Sequence, residues 1–234
     1  MAKMRLDKYL ATYTKMSRKE AKRHIRCGDV QVDGLTVTAE TEKVTLEQNI
    51  CVAGVDIEAK EHHYWMLHKP KGVVSATKDA KESTVRDLLP EEAGKLFPVG
   101  RLDKDAEGLL LMTDDGALAH RLLSPAHHVK KTYYVEYEGE LDGQAVSLVK
   151  AGLDIGEKHL TKPATLELRE EGKALLTIAE GKFHQVKKMI AVLGGRVTYL
   201  KRLSMAGLLL DETLQPGEYR ELTEEEIMQL QQVK

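Results

Sequence analysis

Asp103 stands in the run Gly100-Arg101-Leu102-Asp103-Lys104-Asp105-Ala106-Glu107-Gly108-Leu109-Leu110-Leu111. A charged loop opened by a glycine delivers this carboxylate just before a continuous apolar stretch, residues 109–112, bounded by Gly108 and by Asp114-Asp115-Gly116. An apolar run of that length between turn residues predicts a strand buried on both faces. A carboxylate on a loop anchored by such a strand is well placed for catalysis, although a plain ion pair with Arg101 or Lys104 is the simpler role. Nucleotide-binding chemistry is excluded, because neither Gly-x-x-x-x-Gly-Lys-Ser/Thr nor Gly-x-Gly-x-x-Gly occurs in the required context. Cys27 and Cys51 lie far apart without metal-ligand spacing and are expected as reduced structural thiols. Asp103 and Asp105, two apart, do not face each other as the carboxylate pair of a glycosidase would.

The elements that must position Asp103 follow from composition and periodicity. At 234 residues, 42% hydrophobic and 31% charged, the chain has the length and composition to bury a real core. No apolar run approaches the roughly 18 residues of a membrane span, and MAKMRLDKYL carries no apolar signal core, so a cytoplasmic location is expected. The net charge of −2 conceals an asymmetry: residues 1–30 hold nine Lys and Arg against three acids, the remainder 26 against 34. A basic head on an acidic body predicts contact with a polyanion.

Within the head, Ser17-Arg18-Lys19-Glu20 predicts a capping box and Gly28 a helix stop. That helix turns Ala21 and Ile25 inward and sets Arg18, Lys22 and Arg26 four apart, with Lys19 and Arg23 alongside. Like charges at that spacing repel, and Glu20 is the sole interleaved acid, so a phosphate backbone is the expected neutraliser; a merely solvated face is the alternative. Leu6, Leu10 and Tyr13 predict a shorter helix from near Arg5, and residues 30–37 alternate around Asp33-Gly34 as a hairpin. Residues 58–63 are polar and read as a linker, dividing the chain into domains at 1–58 and 62–234; the adjacent His62 and His63 lack a third metal ligand. In the body, strands are predicted at 64–67, 109–112, from Lys131, at 165–168 pairing with 174–179, and as closing strands at 197–200 and 208–210. Helices are predicted after Thr84, after Gly116 with Leu118, Leu122 and Leu123 inward, from Val186 to a stop at Gly194-Gly195, and after Thr223. Strands and helices alternate irregularly, which predicts an α+β fold with a mixed, mainly antiparallel sheet.

GRLDKDAEGLLL resembles the signature of the RNA pseudouridine synthases that modify ribosomal RNA, in which the aspartate after Arg-Leu is catalytic. RLDKYL and SRKEAKRHIRCGDVQVDG, over about residues 4–50, resemble the S4 RNA-binding domain. That second resemblance implies docking on RNA phosphates through Arg5, Lys15, Arg18, Lys19, Lys22, Arg23 and Arg26, contacts that set register and not sequence. Lys131-Thr132-Tyr133-Tyr134-Val135 is similar to the family's Lys-x-Tyr-x-Val, which makes Tyr133 the second active-site residue. Its ring suits stacking on uracil and its hydroxyl hydrogen bonding or proton transfer. Gln185-Val186-Lys187 matches the element whose cation pairs with the aspartate. His68-Lys69-Pro70-Lys71-Gly72 is similar to the element opening the catalytic domain, with His68 in place of asparagine. Ala106 stands where threonine is common, and Lys187 is less able than arginine to make a bidentate contact. The His127-His128 pair resembles the subgroup acting on small-subunit RNA, whose target is uridine 516.

The implied reaction breaks the bond from uracil N1 to ribose C1′, turns the base and joins C5 to C1′. Asp103 either attacks the substrate or removes a sugar proton, and the sequence leaves both routes open. A cation within ~4–6 Å keeps the carboxylate charged by lowering its pKa by ~1–3 units, the role expected of Lys187. The target must be flipped out of its stack at a cost of a few kcal/mol, with Arg101 holding the backbone or filling the vacated space. No cofactor and no metal are expected, the partner is 16S ribosomal RNA, free or partly assembled, and a monomer is expected. The alternatives are a large-subunit (23S) ribosomal RNA synthase, an idle S4 ribosome-assembly factor, and a metal-dependent RNA hydrolase disfavoured by its missing ligands.

Overall fold

The computed structural model describes residues 3–233, and the chain splits into two units, Met1–His62 and His63–Lys234. The first contains β1 (Met4–Arg5), α1 (Leu6–Tyr13), α2 (Arg18–Cys27), β2 (Val30–Val32), β3 (Leu35–Thr36), β4 (Lys43–Val44), β5 (Ile50–Val52) and β6 (Val55–Asp56). The predicted capping box forms at α2: the Glu20 N–H donates to Ser17 Oγ at 3.3 Å and the Ser17 N–H to Glu20 Oε2 at 2.8 Å. Such a cap stabilises a helix by about 1 kcal/mol. Gly28 ends α2 in the left-handed region, φ 78°. Asp33 and Gly34 both take positive φ, 52° and 80°, the geometry that lets a two-residue turn join twisted strands β2 and β3. The sheet extends past that hairpin in the order β3-β2-β5-β6, and β1 pairs with β4. Leu6, Leu10, Ala21, Ile25, Val30 and Ile50 form the core between helices and sheet.

The second unit runs β7 (Tyr64–Lys69), β8 (Phe97–Pro98), β9 (Glu107–Thr113), α3 (Gly116–Leu123), β10 (Lys131–Glu138), α4 (Ala145–Ala151), β11 (Thr165–Leu168), β12 (Lys173–Ile178), α5 (Gln185–Val192), β13 (Arg196–Met205), β14 (Leu208–Leu209), β15 (Tyr219–Glu221) and α6 (Glu224–Gln231). Among the described residues these strands make one nine-stranded sheet, β11-β12-β10-β13-β9-β7-β15, with β14 on β13 and β8 on β9. The pairings are antiparallel except the central one, β9 with β13. The fold is therefore α+β with a mixed, mainly antiparallel sheet. β9 is buried on both faces, as its apolar run predicts. Leu109 and Leu111 pack with Leu118 and Leu122 of α3 and Leu230 of α6, while Leu110 and Met112 pack with Val73, Val85 and Leu96. A third cluster joins Val135, Leu176 and Leu200 of the sheet to Val149 of α4 and Met189 and Ile190 of α5. No helix is long and apolar enough to cross a membrane among the described residues.

Three expectations are corrected, and one helix is added. The element after Thr84 is a single 3₁₀ turn, Val85–Leu88, capped by Asp87. Leu123 is 45% exposed instead of inward. α4 was not predicted. The strand predicted at 197–200 as a closing element is ten residues long and sits at the centre of the sheet. Lys201, Arg202 and Ser204 break its apolar alternation, so its second half does not look like a buried strand.

Candidate active site

The Asp103 loop is fastened from beneath by a buried lysine. Lys69, 0% exposed at the end of β7, donates from Nζ to the carbonyl oxygens of Pro70 (3.0 Å), Asp103 (3.1 Å) and Ala106 (2.8 Å). Burial pushes this ammonium down to about 8, against the pull of Asp103, Asp105 and Glu107. Ser75 Oγ accepts from the Leu102 N–H at 3.0 Å and donates to the Leu102 carbonyl at 2.9 Å. The Gly72 N–H donates to the Lys104 carbonyl at 2.7 Å. At the far end of the loop, Gly108 takes φ +106°, and a Cβ there would lie 2.2 Å from the Arg202 backbone oxygen. Only a glycine lets β9 approach β13 this closely. Asp103 is thus held on a rigid loop, as the predicted strand requires. The sequence does not distinguish Lys69 from Lys71.

Asp103 opens onto a cavity of about 610 Å³. Lys187, in the first turn of α5, places Nζ 3.1 Å from Asp103 Oδ2 and 2.6 Å from Asp105 Oδ1. His184 Nε2 lies 3.6 Å from Asp103 Oδ1. Burial alone would lower the Lys187 ammonium, but hydrogen bonds to Asp105 and Asp103 outweigh it and raise it. Asp105 is held below the usual carboxylate range by its hydrogen bond to Lys187, against its desolvation. The sequence predicts one cation on one carboxylate; the structure bridges two carboxylates with one ammonium. Residues two apart point away from each other on a helix, but on this turn, closed by the Ala106 N–H to the Asp103 carbonyl at 3.1 Å, both oxygens converge. Asp105 and His184 are therefore site residues the sequence did not single out.

Tyr133, 7% exposed, lines the same cavity, as do Arg101, Leu102, Ile178 and Val186. The structure thus brings Asp103, Tyr133, Lys187 and Arg101 to one place. Phe183 stands at the rim, 72% exposed, with its ring stacked on His184 at 3.8 Å between centroids. His184 itself takes φ 51°, a conformation uncommon outside glycine and asparagine that orients the pair at the head of α5.

In the first unit the cations of α2 are not left to an external partner alone. Arg5 (3.0 Å), Arg18 (2.8 Å) and Lys22 (3.9 Å) converge on the buried carboxylate of Asp7. Lys22 also reaches Glu40 at 3.3 Å, and Arg26 pairs with Glu40. Burial raises the Asp7 carboxyl, and the hydrogen bonds from Arg5 and Arg18 overcome this and lower it. This corrects the view that Glu20 is the only acid tempering the helix: the others arrive from α1 and from the turn before β4. Lys19 and Arg23 are exposed outside this network, and Lys15 is exposed as well. Arg5, Arg18, Lys19 and Lys22 line one open cleft.

Comparison with known proteins places this geometry. Residues 63–192 match the family model described as RNA pseudouridylate synthase. A Bacillus subtilis protein described as an uncharacterized RNA pseudouridine synthase is 48% identical over 231 residues, covering 96% of this chain and 97% of that protein. Ribosomal small subunit pseudouridine synthase A of Salmonella typhimurium and of Escherichia coli are each 45% identical over 228 residues, covering 96% of this chain and 98% of theirs. A crystal structure of a pseudouridylate synthase superposes with a TM-score of 0.70 at 38% identity, covering 97% of this chain and 99% of the other. With more than half of the chain matched by the model and relatives alike from end to end, this protein belongs to the RNA pseudouridine synthases, isomerases that convert uridine in RNA to pseudouridine.

Proposed function

We propose that the protein converts one uridine of small-subunit (16S) ribosomal RNA, uridine 516, to pseudouridine, with Asp103 as the reacting carboxylate. The observation that carries this reading is the Asp103 carboxylate at the cavity wall, 3.1 Å from the Lys187 ammonium and sharing that cavity with Tyr133. A uridine flipped into the cavity meets the tyrosine ring as a stacking surface. The Lys187 ammonium, 3.1 Å away, sets a positive charge against the reacting carboxylate. Lys69, Ser75 and Gly72 fix the backbone that carries it, so the reacting atom is held in place without reorganisation. Arg101, exposed at the mouth, holds the neighbouring backbone or fills the space the base leaves. The first unit, S4-like in sequence, supplies non-specific phosphate contacts through its basic cleft. The small-subunit target is supported by the names of the Salmonella and Escherichia relatives.

The test is tritium release from ribosomal RNA labelled at uridine C5. Asp103→Asn is expected to lower release at least about 1000-fold, the scale of losing an essential reacting group; unchanged release removes Asp103 from the mechanism. Mapping pseudouridines in cells lacking the protein is expected to show uridine 516 unmodified. Loss at a large-subunit position instead moves the target to 23S RNA, and no loss anywhere favours an idle assembly factor.

A further inference from the structure

Arg202 of β13 and Lys131 of β10 are buried cations at the wall of the Asp103 cavity. Arg202 is 2% exposed and Lys131 9%, and both line that cavity. Sheet register explains why they meet. Tyr133 lies directly opposite Arg202 on the neighbouring strand, and Lys131, two residues before Tyr133 on β10, shares its face. The Arg202 guanidinium donates from Nε to the Leu109 carbonyl at 2.7 Å, while its buried Nη2 has no partner. Lys131 Nζ donates to the Val129 carbonyl at 3.2 Å.

No ion pair to a carboxylate is formed by either cation among the described residues, unlike Lys187 with its two. Glu180, which attracts Lys131 from a distance, is already engaged: its Oε1 accepts from the Lys162 N–H at 2.8 Å and from Gln185 Nε2 at 2.9 Å. Burial, and then repulsion from Arg202, pushes the Lys131 ammonium down to about 8. Two buried cations that repel each other, neither ion-paired to a carboxylate, are costly to the fold. Uncompensated charge at the floor of a reaction cavity is the mark of a site prepared for charge that arrives during the reaction.

The reaction has one such charge to offer at the stacked base. When the N1–C1′ bond breaks, the bonding pair stays with uracil and spreads over N1, O2 and O4. This holds whether Asp103 has bonded to C1′ or has removed a sugar proton. We infer that Lys131 and Arg202 donate to a carbonyl oxygen of the departing uracil, stabilising it as an anion while it turns over Tyr133. The balance closes without an oxidant or co-reactant. The base carries the N1 pair away and C5 supplies a pair to C1′. The Asp103 oxygen leaves C1′ with its own pair, or, on the other route, the sugar proton held by Asp103 returns to the sugar. The C5 proton is lost, and N1 gains a proton. This assignment rests on the pseudouridine synthase reading above.

The experiment is a single-turnover comparison of wild type, Lys131→Met and Lys131→Arg on a ribosomal RNA transcript bearing uridine or 5-fluorouridine at the mapped target. Fluorine makes uracil a better leaving group, so less stabilisation is needed. Lys131→Met is expected to slow glycosidic cleavage of the uridine RNA by about 100-fold to 1000-fold. RNA affinity is expected to stay within about two-fold, the deficit on the fluorinated RNA to shrink at least about ten-fold, and Lys131→Arg to recover most of the rate. Because the buried pair is repulsive, Lys131→Met is also expected to melt no lower than wild type, whereas a purely structural lysine would lower the melting temperature. Equal deficits on both RNAs overturn the inference, as does a loss confined to affinity, which would make Lys131 a phosphate contact. A misfolded Lys131→Met overturns it also, and Arg202→Lys then shows whether the floor is structural by failing to fold as well. Wild-type enzyme that makes no pseudouridine would instead sink the parent reading.

Discussion

At the scale of single residues, the groups proposed to meet substrate and the groups that aim them differ in how they can be read. Asp103, Tyr133 and Lys187 stand in long, specific motifs and are legible. Lys69 is not, because its work is done through backbone carbonyls, which leave no trace in residue types. Replacing Lys69 with Met leaves the carbonyls of Pro70, Asp103 and Ala106 without their shared donor. Turnover is expected to fall about 100-fold through misplacement of Asp103, with RNA affinity held within about two-fold. Linkage supplies an independent check. The folded Lys69 titrates at about 8, below its ordinary 10.5, so between those values the unfolded chain binds the proton that the folded chain has released. Stability therefore rises with pH across that window. Lys131 is shifted to about 8 as well, so Lys69→Met is expected to remove about half of the rise, read from urea unfolding at successive pH values. An unaltered slope places Lys69 in an ordinary solvated state.

At the scale of elements, strands announced by apolar runs or by alternation are legible, and β13 is legible only in its first half. The 109–112 run predicts β9 correctly, since both faces are greasy and nothing interrupts them. The second half of β13 carries Lys201, Arg202 and Ser204, of which Arg202 lines the cavity, so that half hides among surface-like residues. α4 went unread because seven residues give barely two turns of periodicity. Where β9 and β13 touch, Gly108 is predicted to be irreplaceable. Gly108→Ala must displace the Arg202 backbone, 2.2 Å from the new carbon, and adopt φ +106°. A loss of about 3 kcal/mol is expected from denaturant unfolding, together with loss of tritium release. Wild-type stability in this variant would mean that the strands have room to part.

At the scale of the whole molecule, the sequence shows a basic head on an acidic body, but not which head cations are already paired within the chain. Asp7 and Glu40 occupy Arg5, Arg18, Lys22 and Arg26, so Lys19 and Arg23 are the α2 cations outside that network. Lys19→Gln with Arg23→Gln is expected to reduce the slope of log affinity against log salt by about 1 to 2, with thermal stability unchanged; an unchanged slope would shift the RNA contact to other residues. A second global feature concerns mechanical coherence. The parallel seam between β9 and β13 consists of two register pairs, Lys201 with Glu107 and Arg202 with Gly108. Side chains rivet it: Arg202 Nε to the Leu109 carbonyl and Tyr199 Oη to Glu107 Oε2, both at 2.7 Å. The aspartate loop hangs from one bank and the tyrosine-bearing strand is moored to the other. The gap between the carboxylate and the Tyr133 ring is thus gauged by those few fasteners, and a slip of the seam would pull the two sides of the cavity out of register.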